Sequence, residues 1–108
     1  MSVKTDRINN MILEQLSYVL RVEVKNKAME FVTITSVATT SDLSFAKVYF
    51  TTLKDKETAL NALNKASGFL RKELTHRVEL RHMPELKFVY DDSIAYGKKI
   101  EQIIEELH

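Results

Sequence analysis

Between Phe31 and Leu53 the chain reads FVTITSVATTSDLSFAKVYFTTL, and this stretch decides the fold. Its first half is β-branched: Val32, Thr33, Ile34, Thr35, Val37, Thr39 and Thr40. Such side chains lose rotamer freedom in a helix and pack well on a pleated surface. Val32 and Ile34 alternate with threonines, but Ser36-Val37 shifts the phase by one, which predicts a bulge or twist there. Ser41-Asp42-Leu43 supplies turn chemistry. A second strand then runs from about Ser44 to Leu53. Ala46, Val48 and Phe50 point to a core, and Phe45, Lys47, Tyr49 and Thr51 point away from it. The pair reads as an antiparallel hairpin.

Working outward toward the N-terminus, Ile8, Met11, Ile12, Leu16, Val19 and Leu20 recur at three- and four-residue spacing. They form one apolar stripe on a helix from about Asp6 to Val24, which Lys25-Asn26-Lys27 breaks. On the other side, Asp55 is placed to N-cap a helix with Glu57 in its first turn. Ala59, Leu60, Leu63, Ala66, Leu70, Leu74 and Val78 carry that helix to about Leu80. The stripe runs straight through Ala66-Ser67-Gly68, where an interior glycine costs about 1 kcal/mol and the serine competes for backbone hydrogen bonds. This predicts two helices meeting at a kink.

Pro84 stops helical structure, and Leu86 to Tyr90 form a third strand with Leu86, Phe88 and Tyr90 on one side. Asp91-Asp92-Ser93 starts a last helix carrying Ile94, Ile100, Ile103, Ile104 and Leu107. The expected fold is α+β, in the order helix, strand, strand, helix, kink, helix, strand, helix, over one domain spanning 1–108. A helical crossover makes the second and third strands parallel, so the three-stranded sheet is mixed. Helices cover one sheet face. The other is left open to Thr33, Thr35, Lys47, Tyr49 and Lys87.

Composition bounds the chemistry. With 108 residues, 44% apolar and 29% charged, the chain is expected to build one core and not to be disordered. Its formal charge of +1 means that any basic surface must come from local clustering. Zero cysteines exclude a disulfide scaffold, a thiolate zinc site and a thiol nucleophile, and fit a reducing cytosol. No apolar run reaches the roughly 18 residues of a membrane span, and Met1 to Asp6 lack the layout of a signal peptide. The expectation is a cytoplasmic protein without a membrane partner.

Enzyme signatures are sparse. Gly68 and Gly97 lie too far apart for a phosphate-binding glycine loop, and no serine sits in a nucleophile elbow. Asp91 and Asp92 read as helix caps rather than a catalytic pair. His76, His82 and Glu85 match no helical metal-ligand spacing. The expectation is no catalytic residue, no metal, no cofactor and no small-molecule substrate.

Basic residues do cluster. Lys65, Arg71, Lys72, Arg77 and Arg81 stand against only Glu73 and Glu79 before His82, a local excess of +3. A helix start at Ser67-Gly68 would add free backbone N–H donors for a phosphate. Charge alone leaves a solvated helix face and a nucleic-acid site both open.

Several blocks, in order, resemble the ribosome-binding factor A family of bacterial small-subunit assembly factors. Arg7-Ile8 opens the first helix. Val32-Thr33-Ile34-Thr35 and Asp42-Leu43-Ser44-Phe45-Ala46-Lys47-Val48-Tyr49 look like the family's hairpin. Ala66-Ser67-Gly68 is similar to its Ala-x-Gly interhelical kink, and Arg81-His82-Met83-Pro84-Glu85-Leu86 with Phe88, Asp91 and Ser93 to its Arg-x-x-Pro-Glu-Leu-x-Phe segment. The resemblance implies a type II KH-like fold, binding to the immature 30S subunit, and support of late 16S rRNA maturation and growth in the cold. It departs in two respects: many members are more basic, and some carry a C-terminal extension, whereas Leu107-His108 ends this chain after an acidic stretch at Glu101, Glu105 and Glu106.

The resulting expectation is a monomeric, non-enzymatic RNA-binding factor whose partners are the 30S subunit and 16S rRNA. Arg71, Lys72, Arg77 and Arg81 neutralise phosphates, Lys65 and Lys47 make secondary contacts, and Ser67 and Gly68 bring backbone close to RNA. His82 and Tyr49 are further candidates to stack on or bond to bases. Arg81 has a competing role in pairing with Glu85 or Asp91, and Asp42 and Pro84 read as structural. The alternative is a protein-interaction module that uses the open sheet face or the edge strand, without direct RNA contact.

Overall fold

A computed structural model describes residues 3–92 of the chain. Helix α1 spans Val3–Tyr18 and continues into one π-helical turn at Val19–Glu23, closed by the Val24 N–H donating to the Val19 carbonyl at 3.1 Å. Val24 is extended, and the predicted polar break then forms a short 3₁₀ turn at Lys27–Met29, where Asn26 Oδ1 accepts from the Ala28 N–H at 2.9 Å. Strand β1 is Val32–Thr39, β2 is Phe45–Thr52, helix α2 is Lys56–Arg77 and β3 is Glu85–Tyr90. The expected last helix, with Ile94, Ile100, Ile103, Ile104 and Leu107, lies outside the described residues.

The strands lie in the order β1-β2-β3, with β1 antiparallel to β2 and β2 parallel to β3. The predicted mixed sheet is therefore present. Its register slips between Ile34 and Ser36, where the phase of the sequence changes. Ile34 pairs with Phe50, and Ser36 pairs with Tyr49, so Thr35 is the extra residue of a bulge. Its hydroxyl donates to Asp91 Oδ2 at 2.6 Å, tying the bulge to the end of β3.

The hairpin turn is held by Asp42. Its carboxylate accepts from the Ser44 N–H at 3.0 Å and from the Thr40 hydroxyl at 2.8 Å, and those two bonds hold it below the ordinary carboxylate range. Leu43 takes a positive φ of 61°, an uncommon conformation for a leucine that the turn imposes.

One core lies between the sheet and both helices. Ile8, Ile12, Leu16 and Val19 come from the first helix, Ala59, Leu63, Leu70 and Leu74 from the second, and Val48, Phe50, Leu86 and Phe88 from the sheet. Burying a side chain the size of Phe50 contributes about 2–3 kcal/mol. Its ring meets Tyr90 edge-on, with centroids 5.7 Å apart. Pro84 is fully buried in the turn before β3, in keeping with a structural role.

The expected junction of two helices at Ala66-Ser67-Gly68 is corrected. A single helix of 22 residues passes through it. The serine expected to break the ladder bonds back onto it instead, its hydroxyl donating to the Asn64 carbonyl at 2.8 Å. Gly68 has no positive φ, and a Cβ built there would meet nothing within 4 Å. Propensity is a small term beside the apolar contacts of Leu63 and Leu70 on either side, which carry the helix across.

Candidate nucleic-acid interface

Helix α2 sorts the predicted basic residues by direction. Leu63, Leu70 and Leu74 point into the core. The opposite stripe, at helical spacing, is Lys65, Gly68, Phe69, Lys72 and His76, all exposed. Lys65 and Lys72 form no ion pair among the described residues.

Arg71 and Arg77 do not share that freedom. The Arg71 guanidinium donates through Nε and Nη2 to the Met83 carbonyl, at 3.2 and 2.7 Å. A fork on one carbonyl staples α2 to the turn that launches β3. Arg77 is ion-paired with Glu23 and lies over the Tyr18 ring, 4.8 Å from its centroid. Its Nε is buried without a partner among the described residues. Both arginines are thus half-buried and bonded within the fold, one to the loop after α2 and the other to the end of the first helix.

Arg81 and His82 are exposed in the loop after α2. The expected pairing of Arg81 with Glu85 is not formed; Glu85 faces Lys87 instead, at 3.7 Å. Ser67 and Gly68 lie in mid-helix, where backbone N–H groups serve the helix's own ladder, so the expected free donors at a helix start are absent. What Gly68 provides is bare backbone surface without a side chain. Lys47 stands on the other side of the sheet, paired in register with Lys87, and does not join the α2 cluster. That open face also carries Phe45, 40% exposed, with the Lys87 ammonium 5.2 Å from its ring, and half-buried Tyr49.

Apolar periodicity overlooks Phe69, because it falls one residue off the buried stripe. It is 49% exposed, between Gly68 and Lys72 on the outer face. A signal for it exists in the chain: an aromatic out of phase with Leu63, Leu70 and Leu74, inside a basic run. Aromatic rings beside cations are the ordinary means of holding unpaired bases. Among the described residues no group of three or more histidines, cysteines or carboxylates is placed to hold a metal ion, and no helix is long and apolar enough to cross a membrane.

Sheet and helices define a small α+β protein with a mixed three-stranded sheet, helices on one face, and an outward helix stripe combining lysines, a bare glycine and an exposed phenylalanine. A family model described as ribosome-binding factor A matches residues 4–104, and on that match the chain belongs to the ribosome-binding factor A family. Ribosome-binding factor A of Macrococcus caseolyticus is 42% identical over 111 residues, covering 100% of this chain and 97% of that protein. The Staphylococcus epidermidis protein of the same name is 43% identical, covering 99% and 95%.

Solved structures agree in fold. The crystal structure of ribosome-binding factor A from Thermus thermophilus superposes with a TM-score of 0.76 at 24% identity, over 80% of this chain and 93% of that one. The solution structure of a Thermotoga maritima protein described as a putative ribosome-binding factor A gives 0.69 at 26% identity, over 82% and 88%. A homology model of the Thermus thermophilus factor, fitted into a cryo-EM map of its complex with 30S, gives 0.66 at 26% identity, over 75% and 88%.

Proposed function

We propose that this chain is a non-enzymatic ribosome assembly factor that binds the immature 30S subunit and aids late 16S rRNA maturation, including at low temperature. Family membership and the 30S complex of the Thermus thermophilus relative support this reading. It acts as a monomeric, cytoplasmic, type II KH-like domain over 1–108.

The observation that carries the RNA-binding part is the outer stripe of α2. Lys65 and Lys72 are exposed cations on one helix face, without an ion pair among the described residues, with Phe69 exposed between them and Gly68 beside it. Phosphates meet Lys65, Lys72 and Arg81, an unpaired base stacks on Phe69, and the missing Cβ at Gly68 lets the sugar-phosphate chain approach the helix. Arg71 and Arg77 act chiefly by fastening the C-terminal half of this helix to the loop after it and to the end of the first helix. Lys47, Tyr49 and His82 are left as peripheral contacts.

Co-sedimentation with isolated small subunits across a salt series tests this. Binding should weaken as salt rises, and the Lys65→Ala, Lys72→Ala double variant should lower the slope of log K against log salt by about 1.4–1.8, since each lost phosphate contact removes roughly 0.7–0.9. A salt-independent association, or a double variant that binds as the parent does, overturns the helix-face reading and favours a protein interface.

A further inference from the structure

A concave site lies at the N-terminal end of β1, on different elements from the outer stripe of α2. It is a groove of about 530 Å³ between the π-helical end of the first helix and Val32–Ile34 of β1. Leu20, Val24, Val32 and Ile34 give it an apolar part, and Ser17, Asn26 and Thr33 a polar one. Arg21, Lys25 and Lys27 stand around it, all exposed and without an ion pair among the described residues. Among the described residues the only acid lining it is Glu30, which already faces the Lys54 ammonium at 3.8 Å. An α-helical ending would set these residues at a different angle. The π-turn inserts one extra residue per turn and so re-aims Leu20, Arg21 and Val24.

The strand beside this groove is an edge, because among the described residues β1 pairs only with β2. Its two ends are treated differently. At the C-terminal end, the Thr40 N–H bonds Phe45 of β2, and the adjacent Thr39 N–H, pointing the other way, is taken by Asn9 Oδ1 at 2.9 Å. The first helix therefore closes the edge there. At Val32–Ile34, no side chain bonds the backbone among the described residues, and the groove lies alongside. A bare strand edge offers alternating donors and acceptors, which a phosphate chain cannot match and an extended peptide can. Among the described residues no aromatic ring lines the groove for a base to stack on.

We infer that the Val32–Ile34 edge with its groove is a docking site for an extended acidic segment of a partner protein, which adds as a fourth strand beside β1. Its carboxylates meet Arg21, Lys25 and Lys27, and its alternate apolar side chains enter between Leu20, Val24 and Ile34. None of the described residues lining the groove belongs to the α2 stripe proposed above to meet RNA.

The test is an amide-resolved NMR titration of the full chain with a blocked seven-residue peptide alternating glutamate and valine. Three controls accompany it: the lysine–valine counterpart, the glutamate–valine peptide N-methylated at alternate backbone nitrogens, and an eight-nucleotide oligouridine. Shifts concentrated at 32–34 and 20–25 with the acidic peptide alone are expected. Affinity should fall at least about tenfold on N-methylation, which removes edge hydrogen bonds at unchanged charge. It should fall similarly in the Arg21→Glu, Lys25→Glu variant, whose exposed positions leave the fold intact. Shifts elsewhere, equal binding of the lysine or N-methylated peptide, or oligouridine shifting the same amides in place of the acidic peptide overturns the inference.

Discussion

Arg71 and Lys72 are neighbours in sequence and carry the same charge, yet they belong to different parts of the molecule. One turns inward and chelates the Met83 carbonyl; the other stands on the exposed stripe with Lys65 and Phe69. The contrast teaches that a basic run is not a basic surface. Of the five cations between Lys65 and His82, two are used to fasten α2 to its surroundings, so the local charge excess by itself does not describe the surface. A helix rotates each successive residue by about a quarter turn, so one step in sequence decides between scaffold and site.

The inner face is where substitution costs most. Leu74→Ala, at a fully buried position, is expected to lower stability by about 2–5 kcal/mol in urea unfolding, by leaving a cavity under the sheet. If it costs no more than an exposed substitution, the division of α2 into two faces is wrong. Next comes the neighbouring pair itself. Arg71→Ala leaves the Met83 carbonyl without its donors and should cost about 1–3 kcal/mol. Lys72→Ala should leave unfolding within about 0.5 kcal/mol while flattening the salt dependence of subunit binding. Equal effects of the two on stability would erase the comparison.

Gly68 and Phe69 sharpen it further. Gly68→Ala meets open space and should stabilise the helix by about 0.5–1 kcal/mol, while weakening subunit binding through the added methyl. Phe69→Ala should hardly change the melting transition and should weaken binding by about 1–3 kcal/mol for one stacked base. A glycine variant that binds as well as the parent would show that RNA does not approach the helix backbone there.

The smallest effect concerns the hairpin. Hydrogen bonds from Ser44 and Thr40 hold the Asp42 carboxyl below its ordinary value of 3.8, so its contribution to stability is present above that value and is lost as pH falls through the lower folded value. The stability difference between the parent and Asp42→Asn should therefore be constant near neutrality and shrink below about pH 4. A difference that persists unchanged to pH 2 would assign the turn to Leu43's backbone rather than to the carboxylate.

Much of this architecture was legible in the chain because it is written in short-range patterns. Alternation at Ala46, Val48 and Phe50, the phase slip beside Ser36, and Asp55 as a cap each depend on residues a few positions apart, and each appears where expected. The parallel pairing of β2 and β3 followed from the helix between them. The junction at Ala66-Ser67-Gly68 did not follow, because a local propensity of about 1 kcal/mol is outweighed by apolar burial on both sides of it.

Sequence alone determined the α+β class, the hairpin with its bulge, the capped start of α2, and the family through its ordered blocks. Tertiary structure alone decided which cations are bonded within the fold. Arg77 meets Glu23 and Tyr18 across 54 or more positions of chain, and Arg71 meets Met83 in the loop beyond the helix. The closure of one end of the β1 edge by Asn9, and the groove at the other, likewise depend on the angle at which the first helix crosses the sheet. Periodicity reports which face of an element is apolar. It carries no information about what a charged side chain will find once the elements have packed.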